Sequence, residues 1–86
     1  MKHATPPALA ELKALIGDLR KLPGVTERRP GIFYAKGKAL LHFHEDPDGL
    51  FADIKGNEDW ERFAVNTVRE RTAFLKRASK AVGGKA

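Results

Sequence analysis

The chain has 86 residues, 42% apolar and 31% charged, with sixteen Lys and Arg against eleven Asp and Glu for a formal charge of +5, and it contains no cysteine. This length holds one domain with one core, since so short a chain buries only roughly 60% of its surface on folding, and the composition is that of a folded polypeptide rather than a disordered one. Without cysteine there is no disulfide scaffold or thiolate metal site, and apolar runs of at most four residues give no membrane span or signal segment, so a cytoplasmic protein with no membrane partner is expected.

Thr5 stands where a helix can begin, with Pro6 and Pro7 in its first turn, where proline's fixed φ fits and its missing N–H is not needed. Leu9, Leu12, Leu15, Ile16, Leu19 and Leu22 recur at three- and four-residue spacing along that helix, and Pro23-Gly24 ends it. From Val25 the period becomes two. Strands are predicted over Val25 to Arg28, Ile32 to Ala35, Lys38 to Glu45 and Leu50 to Ile54, divided by turns at Pro30-Gly31, Lys36-Gly37 and Asp46 to Gly49. Trp60 to Val65 fits a helical turn or an alternating strand, and is read as a strand. Thr67-Val68-Arg69-Glu70 is a capping box that opens a second helix. Its apolar side carries Val68, Phe74, Leu75, Ala78, Ala81 and Val82, and Gly83-Gly84 stops it.

Neither helix can bury its stripe alone. The expected fold is therefore a two-layer α+β domain over residues 1–86, ordered from about 5 to 82 with residues 83–86 frayed. An antiparallel sheet of four to five strands has the N- and C-terminal helices packed on one face. A two-residue loop at Lys36-Gly37 places Ile32, Tyr34, Leu41 and Phe43 towards the helices, with Phe33, Leu40, His42 and His44 on the other face. For the next turn, pairing Glu45 with Leu50 is preferred over pairing Asp46 with Leu50, because the latter drives the Asp53 carboxylate towards the core. The preferred register sets His42 across from Asp53 and His44 across from Phe51.

His42 and His44, two apart on one strand, point the same way and can ligate a transition metal, with Asp53 as the leading candidate for the third ligand, Glu45, Asp46 and Asp48 near the loop as further candidates, and His3 too distant in sequence to place. The same His–Asp pair suits acid–base chemistry, although no nucleophile adjoins it, Ser79 and the threonines lying on helices or turns. Phe33, Phe51 and Trp60 would add aromatic surface to this face, with Trp60 beside Asn57, and a ligand, a protein partner or a second copy in a homodimer could cover it. Arg69, Lys76, Arg77 and Lys80 cluster on the polar side of the last helix and could follow a phosphate backbone, although a solvated basic face is the commoner meaning of such a cluster.

Several short segments together resemble the luciferase-domain family of small, mostly uncharacterised bacterial and fungal proteins. They are Leu22-Pro23-Gly24-Val25, Gly37-Lys38 before the strand that ends in His42-Phe43-His44, Gly49-Leu50-Phe51-Ala52-Asp53-Ile54, and the Trp60-led strand before the terminal helix. The resemblance implies that Trp60 to Val65 is a strand and that the histidine pair is a shared feature. It carries no implication of light emission. Where the family has a longer segment with a helix and another histidine, this chain has only Lys55 to Asp59. A weaker likeness to the MmcQ/YjbR-like domains, also small and α+β, implies DNA binding. The expected function is a binding or interaction domain centred on Phe33, His42, His44, Phe51, Asp53 and Trp60. The alternatives are nucleic-acid binding through the last helix and a metal-dependent or acid–base enzyme at His42, His44 and Asp53. No cofactor is called for beyond that divalent metal.

Overall fold

Alternating apolar and polar residues from Val25 onward form antiparallel strands, and tight turns between them require left-handed backbone. Gly31 has φ 76°, Gly37 77°, and Lys36 beside it 55°. In the computed structural model, which describes residues 2–56 and 59–83, the strands are β2 (Val25–Arg29), β3 (Ile32–Ala35), β4 (Lys38–Asp46), β5 (Gly49–Lys55) and β6 (Trp60–Ala64), hydrogen-bonded in that order. A further short strand, β1 (Lys2–His3), pairs antiparallel with β4, placing His3 opposite His44. Pairing of β3 with β4 reaches only as far as His42, opposite Ile32, so β1 takes over the same edge of β4 where β3 leaves it.

The helical region predicted as one element is two, α1 (Pro6–Glu11) and α2 (Lys13–Arg20), broken at Leu12, whose φ of −95° and ψ of 12° leave the helical region. The break turns Leu12 into the core, where it is wholly buried. Thr5 precedes the helix in extended backbone, as expected, but its hydroxyl does not cap it. Instead that hydroxyl and the Thr5 N–H both donate to Glu45 Oε1, at 2.6 and 2.9 Å, tying the chain after β1 to β4. The final helix, α3 (Val68–Ala81), starts with the predicted box: the Glu70 N–H donates to Thr67 Oγ1 and the Thr67 N–H to Glu70 Oε1, both at 3.1 Å.

The helices lie on one side of the sheet and share a single core with its inner face, in which Leu12, Leu19, Phe33, Leu41, Ile54, Val65 and Phe74 are wholly buried. Phe74 of α3 packs edge-on against Phe43 and Phe63, with ring centroids 6.0 and 5.5 Å away. Val68, assigned to the apolar side of the last helix, is instead 77% exposed because it is the first residue of α3, before the helix reaches the core. Across β4 and β5, Glu45 pairs with Leu50 and Asp46 with Gly49, the preferred register. Leu41, Phe43, Leu50, Ala52 and Ile54 therefore all lie beneath the helices.

The β3–β4 register differs from the expectation. Phe33 pairs with Leu41 and Tyr34 with Ala39, which leaves Leu40 as a β-bulge. Because one inserted residue reverses the phase of everything beyond it, Phe33 is turned inward and is 0% exposed, and both Leu40 and Leu41 enter the core. Phe33 is thus a core residue and no part of the histidine face. Its place there is taken by Ile32, opposite His42, while Tyr34 carries Arg28 over its ring at 4.5 Å. Among the described residues no helix is long and apolar enough to cross a membrane. The fraying expected over residues 83–86 falls, apart from Gly83, outside the described residues, as does Asn57.

Candidate metal centre on the uncovered sheet face

Alternation along β4 sends Leu41 and Phe43 to the helices and His42 and His44 to the opposite side. On β5 the same rule turns Phe51 and Asp53 outward, and on β6 it turns out Trp60 and Arg62, which pair with Lys55 and Asp53 respectively. His3 joins from β1 by its pairing with His44. His42 is opposite Asp53 and His44 opposite Phe51, as expected. The closest approach, however, is diagonal: His44 Nε2 is 3.0 Å from Asp53 Oδ2. Diagonal neighbours meet readily across twisted strands when side chains are long. This approach does not have hydrogen-bond geometry, and both ring nitrogens of His44 together with Nδ1 of His42 are buried without a hydrogen-bond partner.

The two imidazoles stand edge to face, 4.5 Å between centroids, and the His3 ring lies 5.9 Å from His42 and 5.8 Å from His44. Trp60 closes the other side, its ring 4.8 Å from that of His42 and with Lys55 Nζ 5.5 Å above it. The indole remains 38% exposed on an edge strand, so it both shields His42 and forms part of the open surface. Phe51 is half-buried beside His44.

Asp53 is a buried acid, 6% exposed. The guanidinium of Arg62 satisfies it with a two-pronged contact, Nε donating to Oδ1 at 2.8 Å and Nη2 to Oδ2 at 3.0 Å. These hydrogen bonds hold the Asp53 carboxyl below the usual carboxylate range against the opposing effect of burial, with the nearby imidazoles adding to the lowering. Burial, followed by the neighbouring His44, pushes His42 below the ordinary imidazole value, and Asp53 offsets part of that shift. His42 is therefore neutral at pH 7, the form that ligates metal.

His42, His44 and Asp53 each offer a ligand atom, and the three atoms lie within 4.8 Å of one another. A tetrahedral ion with bonds of about 2.0–2.1 Å needs ligand atoms about 3.4 Å apart, so the three would have to draw closer on binding. Two imidazole nitrogens and a carboxylate suit zinc and its neighbours such as nickel, copper and cobalt, rather than magnesium or calcium, which favour oxygen. For acid–base chemistry the arrangement is poorer. Arg62 occupies both oxygens of Asp53, and Ser79 belongs to α3 in the other layer.

The basic residues of the last helix do not form one strip. Arg77 Nε donates to Glu61 Oε1 at 2.8 Å, while Arg69 and Lys76 are exposed on either side of Thr72 and Ala73. Lys80 leaves them for a cleft of about 640 Å³ at the end of the sheet, where Lys36, Lys38 and Lys55 surround a floor that includes Leu40 and Val82.

Sequence reasoning overlooked Arg62 and could not place His3. Alternation along β6, once paired with β5, would have set Arg62 opposite Asp53. A two-residue strand, by contrast, has no periodicity to detect. No protein-family model, curated protein or solved structure matches this chain.

Proposed function

We propose that the protein is a small binding domain whose uncovered sheet face captures a divalent transition-metal ion through His42, His44 and Asp53. The observation that carries this reading is the set of buried ring nitrogens without hydrogen bonds, Nδ1 of His42 and both nitrogens of His44, beside a carboxylate oxygen 3.0 Å away. Buried polar atoms are normally paired, and a metal ion satisfies imidazole lone pairs and carboxylate charge together. The likeness to the luciferase-domain family, in which the histidine pair is a shared feature, accords with this reading. Binding is favoured over catalysis because the carboxylate is already held by Arg62.

The test is a zinc titration of untagged protein, read by calorimetry and thermal unfolding, and repeated with nickel and cobalt. Metal at a hundred times its dissociation constant stabilises the folded state by about 2.7 kcal/mol, which for a domain of this size raises Tm by roughly 11–22 °C. His42→Ala and His44→Ala should each remove most of that rise. A wild-type Tm that none of the three metals moves at millimolar concentration would defeat the proposal.

A further inference from the structure

The three ligands named so far leave a four-coordinate ion one donor short, and structural zinc sites close their fourth position with a protein side chain. The face offers one further imidazole. His3 lies directly across from His44, its ring 5.8 and 5.9 Å from the other two. Rings that share a metal through bonds of about 2 Å have centroids some 5–6 Å apart by the same geometry. The side chain of His3 is exposed, so it can turn without disturbing the core.

The element that delivers His3 is weakly held. β1 has two residues, and the ties that follow it are the Ala4 N–H donating to Phe43 O at 3.2 Å and the two Thr5 bonds to Glu45 Oε1. A strand this short at a sheet edge contributes little by itself and opens with a small free energy. A metal bond from His3 would act on that equilibrium directly, because an ion held by β4 and β5 and also by β1 binds the docked state more tightly than the undocked one.

We propose that His3 is the third imidazole of the metal centre, so that metal binding fastens β1 onto β4. This rests on the His42–His44–Asp53 reading and extends it. The tether makes His3 a local ligand at high effective concentration, and its loss should weaken zinc binding by roughly ten- to a hundredfold. Zinc should also slow amide hydrogen exchange in the wild-type protein at Ala4 and Thr5, whose N–H groups donate to Phe43 O and Glu45 Oε1 only when β1 is docked, a change that packing of a histidine face alone would not produce.

The experiment measures zinc affinity by chelator competition, and backbone amide exchange with and without zinc, for wild type, His3→Ala, His3→Gln and His44→Ala. Because His3 is exposed, both His3 variants should fold, and circular dichroism verifies this. Support consists of binding lost in His44→Ala, weakened in both His3 variants, and accompanied by zinc-dependent protection of β1 in wild type only. Equal affinity in wild type and both His3 variants, with β1 exchange indifferent to zinc, overturns the role of His3 while the His42–His44 site stands. If wild type binds neither zinc nor nickel nor cobalt, both readings fall.

Discussion

Replacing Phe33 by alanine separates the two registers of the β3–β4 hairpin more sharply than any other single change. The ring is wholly buried beneath the helices, opposite Leu41. Withdrawing a Phe side chain from water contributes about 1.5–3 kcal/mol, and the cavity left by its removal brings the usual cost of Phe→Ala in a core to about 3–5 kcal/mol. A chain of 86 residues has a total stability of roughly 4–13 kcal/mol at the usual 0.05–0.15 kcal/mol per residue, so the variant should lose a large share and melt at least about 12 °C lower. Urea unfolding of metal-free protein, followed by far-UV circular dichroism, measures the loss. Phe51→Ala, on the outer face, serves as the comparison and should cost under about 1.5 kcal/mol. In an uninterrupted two-residue hairpin the order would reverse: Phe33→Ala would be mild, and Ile32→Ala would carry the cavity cost. Observing that reversed order would refute the bulge at Leu40 and the assignment of both faces of β3.

Gly31→Ala places a Cβ 2.7 Å from Leu9 Cδ2 at a φ of 76°, and should cost about 1–3 kcal/mol in urea midpoints, mostly from left-handed backbone. Gly37→Asn, at a φ of 77° with nothing within 4 Å, should cost under about 1 kcal/mol, since Asn tolerates that conformation. Arg62→Met should raise the pKa of the Asp53 carboxyl in a carboxyl NMR titration, because its hydrogen bonds are the chief cause of the lowering; an unmoved value would mean that another group holds the carboxylate. In metal-free protein, stability should be greatest above about pH 6.5 and decline on acidification from there, since His42 takes up its proton in the unfolded chain before it does in the folded one. A second decline should begin below about pH 3.8 as Asp53 loses its pairing with Arg62. Urea midpoints at pH 8, 6 and 5 for wild type and His42→Gln check the first decline, which the variant should lack; a rise in wild-type stability towards pH 5 would contradict it.

Local chemistry accounted for most of the element succession and for the register of the β4–β5 turn, but not for that of the β3–β4 hairpin. The capping box at Thr67 and Glu70, the turns at Gly31 and Lys36-Gly37, and the strand from Trp60 each rest on interactions within a few residues. The pairing of Glu45 with Leu50 also followed from sequence, because the alternative would set Asp53 among aliphatic side chains without a partner, whereas in the observed register the carboxylate is buried but paired with Arg62. The break at Leu12 was hidden, since a regular Leu/Ile stripe has the same spacing whether the helix is continuous or bent to fit a sheet.

Strand phase by itself determined that His42 and His44 share a face, because side chains two apart on a strand must point the same way, and the choice of the β4–β5 register added Asp53. Only the tertiary structure decided what meets there. The bulge that removed Phe33 depends on how the whole hairpin seats against α1, α2 and α3. The diagonal contact of His44 with Asp53 depends on how long side chains reach across neighbouring strands, and the arrival of His3 depends on where β3 stops pairing and leaves an edge of β4 open. Each of these is settled by contacts between distant segments, whose free energies local composition does not encode.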